Sequence, residues 1–402
     1  MSDVDDVLIG RIFREESGRS VATLIRMFGD IDLAEDAVQD AFAVALRKWP
    51  ADGSPPNPGG WITTTARNRA IDQLRRESRG RELLTQMVDA DDRPREETGP
   101  VQDDRLRLIF TCCHPALSTE AQVALTLRLL GGLTTGEVAR AFLVPEATMA
   151  KRLVRAKHKI RAAHIPYRVP SDAELPARLR PVFAVLYLTY NAGTAGGAGD
   201  GLRHEAIRLA RAVTGLMPDE AEVAGLLALL LLTESRWPAR FGDDGHLVLL
   251  RDQDRSLWDQ ARIQEGQSIV RACLRRDRPG PYQLQAAINA VHADADTFDA
   301  TDWVQILTLY DHLLSLTPTP VVAMNRAIAM GEVRGPQAAL DILDGLDLEE
   351  YHLYHATRAD LLRRLGRHHD ASDAYGRAAS LAASDAERVF LEERLQAPRT
   401  AG

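Results

Sequence analysis

The stretch LTTGEVARAFLVPEATMAKRLVRAKHKIR, residues 133–161, predicts two short helices joined by a tight turn. Thr134 and Thr135 are residue types that cap a helix, and they precede a helical repeat of apolar residues. That repeat consists of Val138, Ala139, Phe142 and Leu143. Pro145 ends the first helix and suits the opening of the second, which we expect to cover residues 146–160.

The second of these helices is strongly basic. Between residues 151 and 161 six side chains are cationic and none is acidic: Lys151, Arg152, Arg155, Lys157, Lys159 and Arg161. The predicted inner side consists of Met149, Leu153, Val154 and Ile160. A helix-turn-helix that places its second helix in a DNA major groove requires this layout. A solvated basic face on an ordinary helix pair remains the alternative for this stretch taken alone.

The composition of the whole chain sets the limits for any function. Its 402 residues suffice for two or three domains, and 45% hydrophobic with 26% charged residues is ordinary for a globular protein. The net charge of −8 excludes a protein that coats nucleic acid by bulk charge, so DNA binding has to come from local basic clusters. The acidic N-terminus and short apolar runs predict a cytoplasmic protein with no membrane segment.

The three cysteines predict neither a metal site nor a disulfide framework. Two are adjacent and one is distant: Cys112, Cys113 and Cys273. Neighbouring side chains on a helix point apart, so we expect these thiols to pack in the core.

The N-terminal part predicts helices with one acidic and one basic surface. Residues 8–28 predict one long helix or two, and Asp32 is the expected cap of an amphipathic helix over residues 33–49. The polar face of that helix carries Glu35, Asp36, Gln39 and Asp40, which residue type alone would assign to solvent.

A Pro/Gly-rich loop, residues 51–60, separates that helix from the next, predicted over residues 61–81. The acids in this second helix are Asp72 and Glu77, and Asp72 is expected to order nearby arginines. The arginines form a second basic surface: Arg67, Arg69, Arg75, Arg76, Arg79 and Arg81.

The order of these blocks resembles the bacterial RNA polymerase sigma factors of the extracytoplasmic-function type. The matching motifs are AEDAVQDAF, then NPGGWITTTARNRAIDQLRR, then an acid-rich linker and the helix-turn-helix stretch. The resemblance covers residues 5–163 and implies region 2 at 1–81, a linker at 82–102 and region 4 at 103–168. Two motifs in this order are more specific than either alone.

The resemblance implies roles for three surfaces. In this family the helix matching residues 33–49 docks on the clamp helices of core RNA polymerase. The loop matching residues 51–60 and the next helix read the promoter −10 element, and the second helix of region 4 reads the −35 element. The implied polymerase-binding residues are Asp36, Gln39 and Asp40.

Individual residue types suit the two DNA-reading tasks. Asn57 and Asn68 can read base edges, and Trp61 can stack on an unstacked base or belong to the core. The implied phosphate-binding residues beside them are Arg67, Arg69, Arg75 and Arg76. In region 4, Ala147 and Thr148 can lie against thymine methyl groups. The implied cations there are Lys151, Arg152 and Arg155 for guanine edges or phosphates, and Lys157, Lys159 and Arg161 for the DNA backbone.

The C-terminal part, residues 169–402, predicts a succession of helices. Residues 321–343 and 351–382 have the small/large/small spacing of a tetratricopeptide repeat, with Ala338 as the expected equivalent of Ala371. The segments FTCCHPALS and YLTYNAG resemble the sigma-factor subgroup that carries such an extension. The resemblance implies a regulatory domain that meets a regulatory protein or a ligand.

Two polar clusters in this part could be interpreted as metal sites. We expect instead that these Asp and His residues cap helices or face solvent. They are His292, Asp294 and Asp296, and Asp243, Asp244 and His246. We therefore expect no catalytic residue, no metal and no cofactor.

Together these features predict an all-α protein with a region 2 bundle, a region 4 helix-turn-helix and a tetratricopeptide-like C-terminal domain. The predicted function is a sigma factor whose partners are core RNA polymerase and promoter DNA. The alternative is a helix-turn-helix transcription activator with a helical-repeat sensor domain. A third interpretation is an adaptor or enzyme built on the C-terminal part.

Overall fold

The computed structural model describes residues 6–76, 104–142, 144–194, 200–242, 245–382 and 385–396. Across these ranges it contains eighteen α-helices, two short 3-10 turns and a single isolated bridge between Phe241 and Leu247, with no strand. The all-α prediction is confirmed. The predicted linker at 82–102 lies outside the described residues, as do Glu77, Arg79, Arg81 and Leu143.

The chain divides into two compact units, one of residues 1–193 with 198–209 and the other of residues 194–197 with 210–402. The helices of the first unit are α1 (Asp6–Phe28), α2 (Ile31–Asp52), α3 (Pro58–Arg76), α4 (Asp104–Cys112), α5 (Thr119–Leu129), α6 (Thr135–Ala141), α7 (Glu146–Ala162) and α8 (Leu175–Ala192). Helix α9 (Asp200–Leu216) passes from the first unit into the second. This division differs from the predicted boundary at residue 168, because α8 packs against α5.

The second unit continues with helices stacked in chain order. They are α10 (Ala221–Glu234), α11 (Gln260–Leu274), α12 (Pro281–Asp294), α13 (Trp303–Leu316), α14 (Pro320–Arg334), α15 (Pro336–Leu343), α16 (His352–Arg364), α17 (His368–Leu381) and α18 (Asp385–Gln396). Each of these helices from α12 onward packs against the next one in sequence. Such neighbour-to-neighbour stacking is the arrangement of helical-repeat proteins.

The repeat in the second unit is shifted by one position from the predicted register. Ala359 and Ala371 are buried where α16 and α17 meet, and Ala327 and Ala339 are buried in the same way in α14 and α15. The two pairs have the same spacing along the chain, so the equivalent of Ala371 in the earlier copy is Ala339. Ala338 was the wrong equivalent because it is half-buried, whereas Ala339 packs against Gly331.

In the first unit, α1, α2 and α3 form a three-helix bundle. The prediction that Asp32 caps α2 is wrong, because the cap is Asp30. The side chain of Asp30 accepts hydrogen bonds from the backbone N–H groups of Asp32, at 2.8 Å, and Leu33, at 3.0 Å. Asp32 therefore lies in the first turn of the helix, where its carboxylate can meet other partners. Helix α2 ends at Asp52 and is followed by Gly53, whose φ of +83° suits glycine.

The three cysteines are buried free thiols, as predicted. Burial raises the pKa of the Cys113 thiol to about 12, although its hydrogen bond to Thr126 opposes the shift. These thiols are packing residues of the core.

Candidate nucleic-acid interface

Helices α6 and α7 form the predicted helix-turn-helix. Thr134 and Glu137 make a reciprocal capping box: the Thr134 hydroxyl accepts from the Glu137 N–H at 3.2 Å, and the Glu137 carboxylate accepts from the Thr134 N–H at 2.7 Å. Pro145 occupies the N-cap position of α7. The local sequence therefore fixes where the first helix starts and where the second one begins.

The buried side of α7 follows a strict helical spacing. Its members are Met149, Leu153, Ala156 and Ile160. The prediction that Val154 belongs to this side was wrong, because that residue is rotated about 100° from Leu153 and is 60% exposed. An exposed valine beside Arg155 adds an apolar contact point to the outer surface, which the sequence interpretation missed.

The first three turns of α7 present outward most of the residues predicted to read the −35 element. Lys151, Arg152 and Arg155 are exposed, as is Ala147, whereas Thr148 is half-buried. The backbone carbonyl of Lys151 accepts a hydrogen bond from Arg155 Nε at 3.3 Å, which holds that side chain along the helix. We call these residues the basic strip of α7, because they place positive charge along the outer side of the helix.

Lys157 and the last turn of α7 face a different direction. The Lys157 ammonium lies 2.5 Å from Asp32 and 3.1 Å from Glu35, and Arg161 lies 2.9 Å from Asp32. The side chain of Lys157 is only 15% exposed. Burial alone would lower its pKa, but the carboxylates of Glu35 and Asp32 raise the pKa above the usual range.

Glu35 is the buried centre of this contact, although its position on the polar face of α2 predicted exposure. Its carboxylate also accepts a hydrogen bond from Arg128 Nε at 2.6 Å, and Arg128 donates to the carbonyl of Leu133 at 2.7 Å. A buried carboxylate requires such partners. Regions 2 and 4 are therefore joined by ion pairs between α2, α5 and α7.

The predicted polymerase-binding residues lie next to this contact and remain exposed. Asp36, Gln39 and Asp40 are exposed on α2. The Gln39 amide donates to Glu35 at 3.1 Å, so it is oriented by the buried carboxylate. Partial burial and then the charge of Glu35 raise the pKa of Asp36, with Lys157 opposing that shift. The face presents hydrogen-bond acceptors and negative charge.

The loop before α3 is shorter than predicted, because α3 begins at Pro58 rather than at Trp61. Asn57 explains the earlier start: its side-chain oxygen accepts a hydrogen bond from the Gly60 N–H at 2.9 Å, which caps the helix. Trp61 is half-buried and packs edge-on against the buried Trp49, with ring centroids 5.3 Å apart.

Helix α3 separates its core side from a basic outer side. Ile62, Ala66 and Ala70 are buried. The exposed side brings together Asn68, Arg69, Arg75 and Arg76, whereas Arg67 is half-buried. Asp72 lies 4.0 Å from Arg75 in an exposed pair. We call this the basic face of α3.

The polar clusters considered as metal sites do not assemble where the structure describes them. His292 is buried against Trp303, with ring centroids 5.2 Å apart, and Asp294 accepts a hydrogen bond from Gln267. His246 lies 3.1 Å from Glu393, while Asp243 and Asp244 lie outside the described residues. In the described part of the chain, no three His, Cys, Asp or Glu side chains are grouped to hold a metal ion. No described helix is long and apolar enough to cross a membrane.

Comparison with known proteins agrees with this geometry. Sigma-70 region 2 matches residues 12–80, sigma-70 region 4 matches residues 107–160, and a family of unknown function (DUF6596) matches residues 178–274. An uncharacterised protein of Rhizobium meliloti (strain 1021) is 42% identical over 391 residues, covering 94% of this chain and 92% of that protein. No solved structure matches the chain. The chain thus belongs to the sigma-70 family of transcription initiation factors, as a factor of the extracytoplasmic-function type with an additional C-terminal domain.

Proposed function

We propose that this sigma factor binds the clamp helices of core RNA polymerase through the exposed face of α2. Asp36, Gln39 and Asp40 supply acceptors and negative charge for a basic partner helix. The observation that carries the proposal is where this acidic face lies. It is on the same unit as two separate basic surfaces, which are the basic face of α3 and the basic strip of α7. One bound polymerase could thereby present both basic surfaces to one promoter.

In this proposal the basic face of α3 reads the −10 element and the basic strip of α7 reads the −35 element. The first set of DNA-binding positions is Asn57, Trp61, Arg67, Asn68, Arg69, Arg75 and Arg76. The second set is Ala147, Thr148, Lys151, Arg152, Arg155 and Lys157. Strand opening would draw on the binding energy of captured bases, and the chain would supply no catalysis of its own.

The proposed domains are region 2 at 1–81, a linker at 82–102, region 4 at 103–168 and a C-terminal domain at 169–402 that modulates initiation. The helical-repeat stacking of α12 to α18 supports a binding role for that domain, since such repeats present extended surfaces to partners. A classical activator would have no use for a polymerase-docking face on α2.

Binding to purified core RNA polymerase tests the proposal directly. Reversing two charges, with Asp36→Lys and Asp40→Lys together, should weaken core binding by at least about tenfold, because like charges then face a basic partner. The matched control is Asp172→Lys, which changes an exposed acid elsewhere on the same unit. A double variant that binds core as tightly as the original chain contradicts the sigma mechanism and favours an activator, as would failure to direct specific initiation on genomic DNA.

A further inference from the structure

The C-terminal unit contains a cavity of about 380 Å³ bounded by α12, α13, α14, α16, α17 and α18. Its size falls within the range of small-molecule sites, about 300–1,000 Å³. Most of the lining is apolar or aromatic, with Trp303, Tyr310 and Phe390 around it. A planar or branched apolar group would bury its surface against these rings.

The side chains that line this cavity include three arginines and two carboxylates. Glu332 is already held by Arg364 at 2.7 Å and by Arg251 at 3.4 Å, and Asp360 is held by Arg363 at 2.7 Å. These lining carboxylates are therefore neutralised by neighbours.

The ion pair of Arg394 is longer than the ion pairs of the other arginines that line the cavity. It stacks 5.2 Å from the Phe390 ring centroid and is 3.9 Å from Asp252. A guanidinium on an aromatic platform is a common recognition group for carboxylates.

His292 provides a second polar feature of the same cavity. The residue is 8% exposed and lines the cavity, and its Nδ1 atom is buried without a hydrogen-bond partner among the described residues. Burial, with the charges of Arg236 and Arg255, lowers the pKa of His292 to about 3. The imidazole is therefore neutral and adds no charge to the cavity.

We propose that this cavity binds a small organic carboxylate with an aromatic or branched aliphatic body. The body packs against Trp303 and Tyr310, and the carboxylate is attracted by the guanidinium of Arg394. A regulatory role for this ligand rests on the proposed function, because the ligand would act through the C-terminal domain. The binding itself does not depend on that function.

Calorimetric titration of the full chain tests the site with two probes, 1-naphthoate and the neutral 1-naphthalenemethanol. We expect the anion to bind at least about tenfold more tightly, and Arg394→Gln to remove most of that difference. The control Arg377→Gln removes an exposed guanidinium paired with Glu350, outside the cavity. Equal affinity for the two probes, absence of binding by both, or an unchanged preference in Arg394→Gln overturns the proposal, whatever the outcome of polymerase binding.

Discussion

At the residue scale, His292 couples the stability of the C-terminal unit to pH. Its folded pKa is lowered to about 3, below the ordinary value of 6.5, so between these values the unfolded chain binds a proton that the folded chain does not. Stability is therefore expected to fall as pH drops from about 6.5 towards 3. One such group contributes a slope of up to about 1.4 kcal/mol per pH unit.

Replacing this residue, as His292→Leu, should remove that part of the slope. Urea unfolding of the full chain at pH 4, 5, 6 and 7 measures it as the change in the free energy of unfolding. His369→Leu is the matched control, because the side chain of His369 is 81% exposed. Equal pH slopes for the His292→Leu variant and the original chain would show that the buried imidazole is not the acid-sensitive group.

Lys157 shows what could and could not be predicted for a single residue from the sequence. On a helix its direction is rotated about 120° from that of Lys151, which already separates it from the basic strip. The buried spacing of Met149, Leu153 and Ile160 places Lys157 beside the core side, so its partial burial could be predicted from periodicity. Its partners could not, because Glu35 is 122 residues away in the sequence.

At the element scale, α8 packs against α4 and α5, the two helices that precede the helix-turn-helix. Arg178 donates to the carbonyl of Phe110 at 2.6 Å, and the buried Val182 and Phe183 continue the apolar side of α8. A sequence boundary drawn at residue 168 removes all of these contacts from region 4.

We therefore expect a chain ending at Arg168 to be less stable than one ending at Leu216. The loss of buried apolar surface from α8 should lower the melting temperature of the shorter chain by about 5 °C or more. Thermal unfolding followed by circular dichroism compares the two chains. Equal melting temperatures would mean that α8 contributes nothing to region 4.

Local signals located most elements correctly. The capping box at Thr134, the break at Pro145 and the apolar spacing predicted the helix-turn-helix, because these are interactions between near neighbours. Two predictions were wrong for a common reason: the cap of α2 was placed at Asp32, and the loop before α3 was extended as far as Trp61. In both cases a second capping residue, Asp30 or Asn57, stood slightly earlier in the chain.

At the scale of the whole molecule, the sequence located the two basic surfaces and the acidic face but not the contact that joins regions 2 and 4. An amphipathic pattern states that a face is buried and does not identify what covers it. A Cβ atom added at Gly18 of α1 would lie 2.6 Å from the carbonyl oxygen of Leu130, and so close an approach depends on backbone geometry across the fold. The cavity in the C-terminal unit likewise arises from side chains on six helices, which no local motif describes.

The paired first turn of α2 has a consequence for how the factor behaves before it meets polymerase. A chromosome offers an enormous excess of random DNA, and a protein with exposed cations is titrated by it. Here Lys157 and Arg161 are neutralised within a chain whose net charge is −8. Each cation that is paired inside the chain leaves one phosphate contact fewer for random DNA, so the affinity of the factor for random sequence should be lower than its count of basic residues suggests.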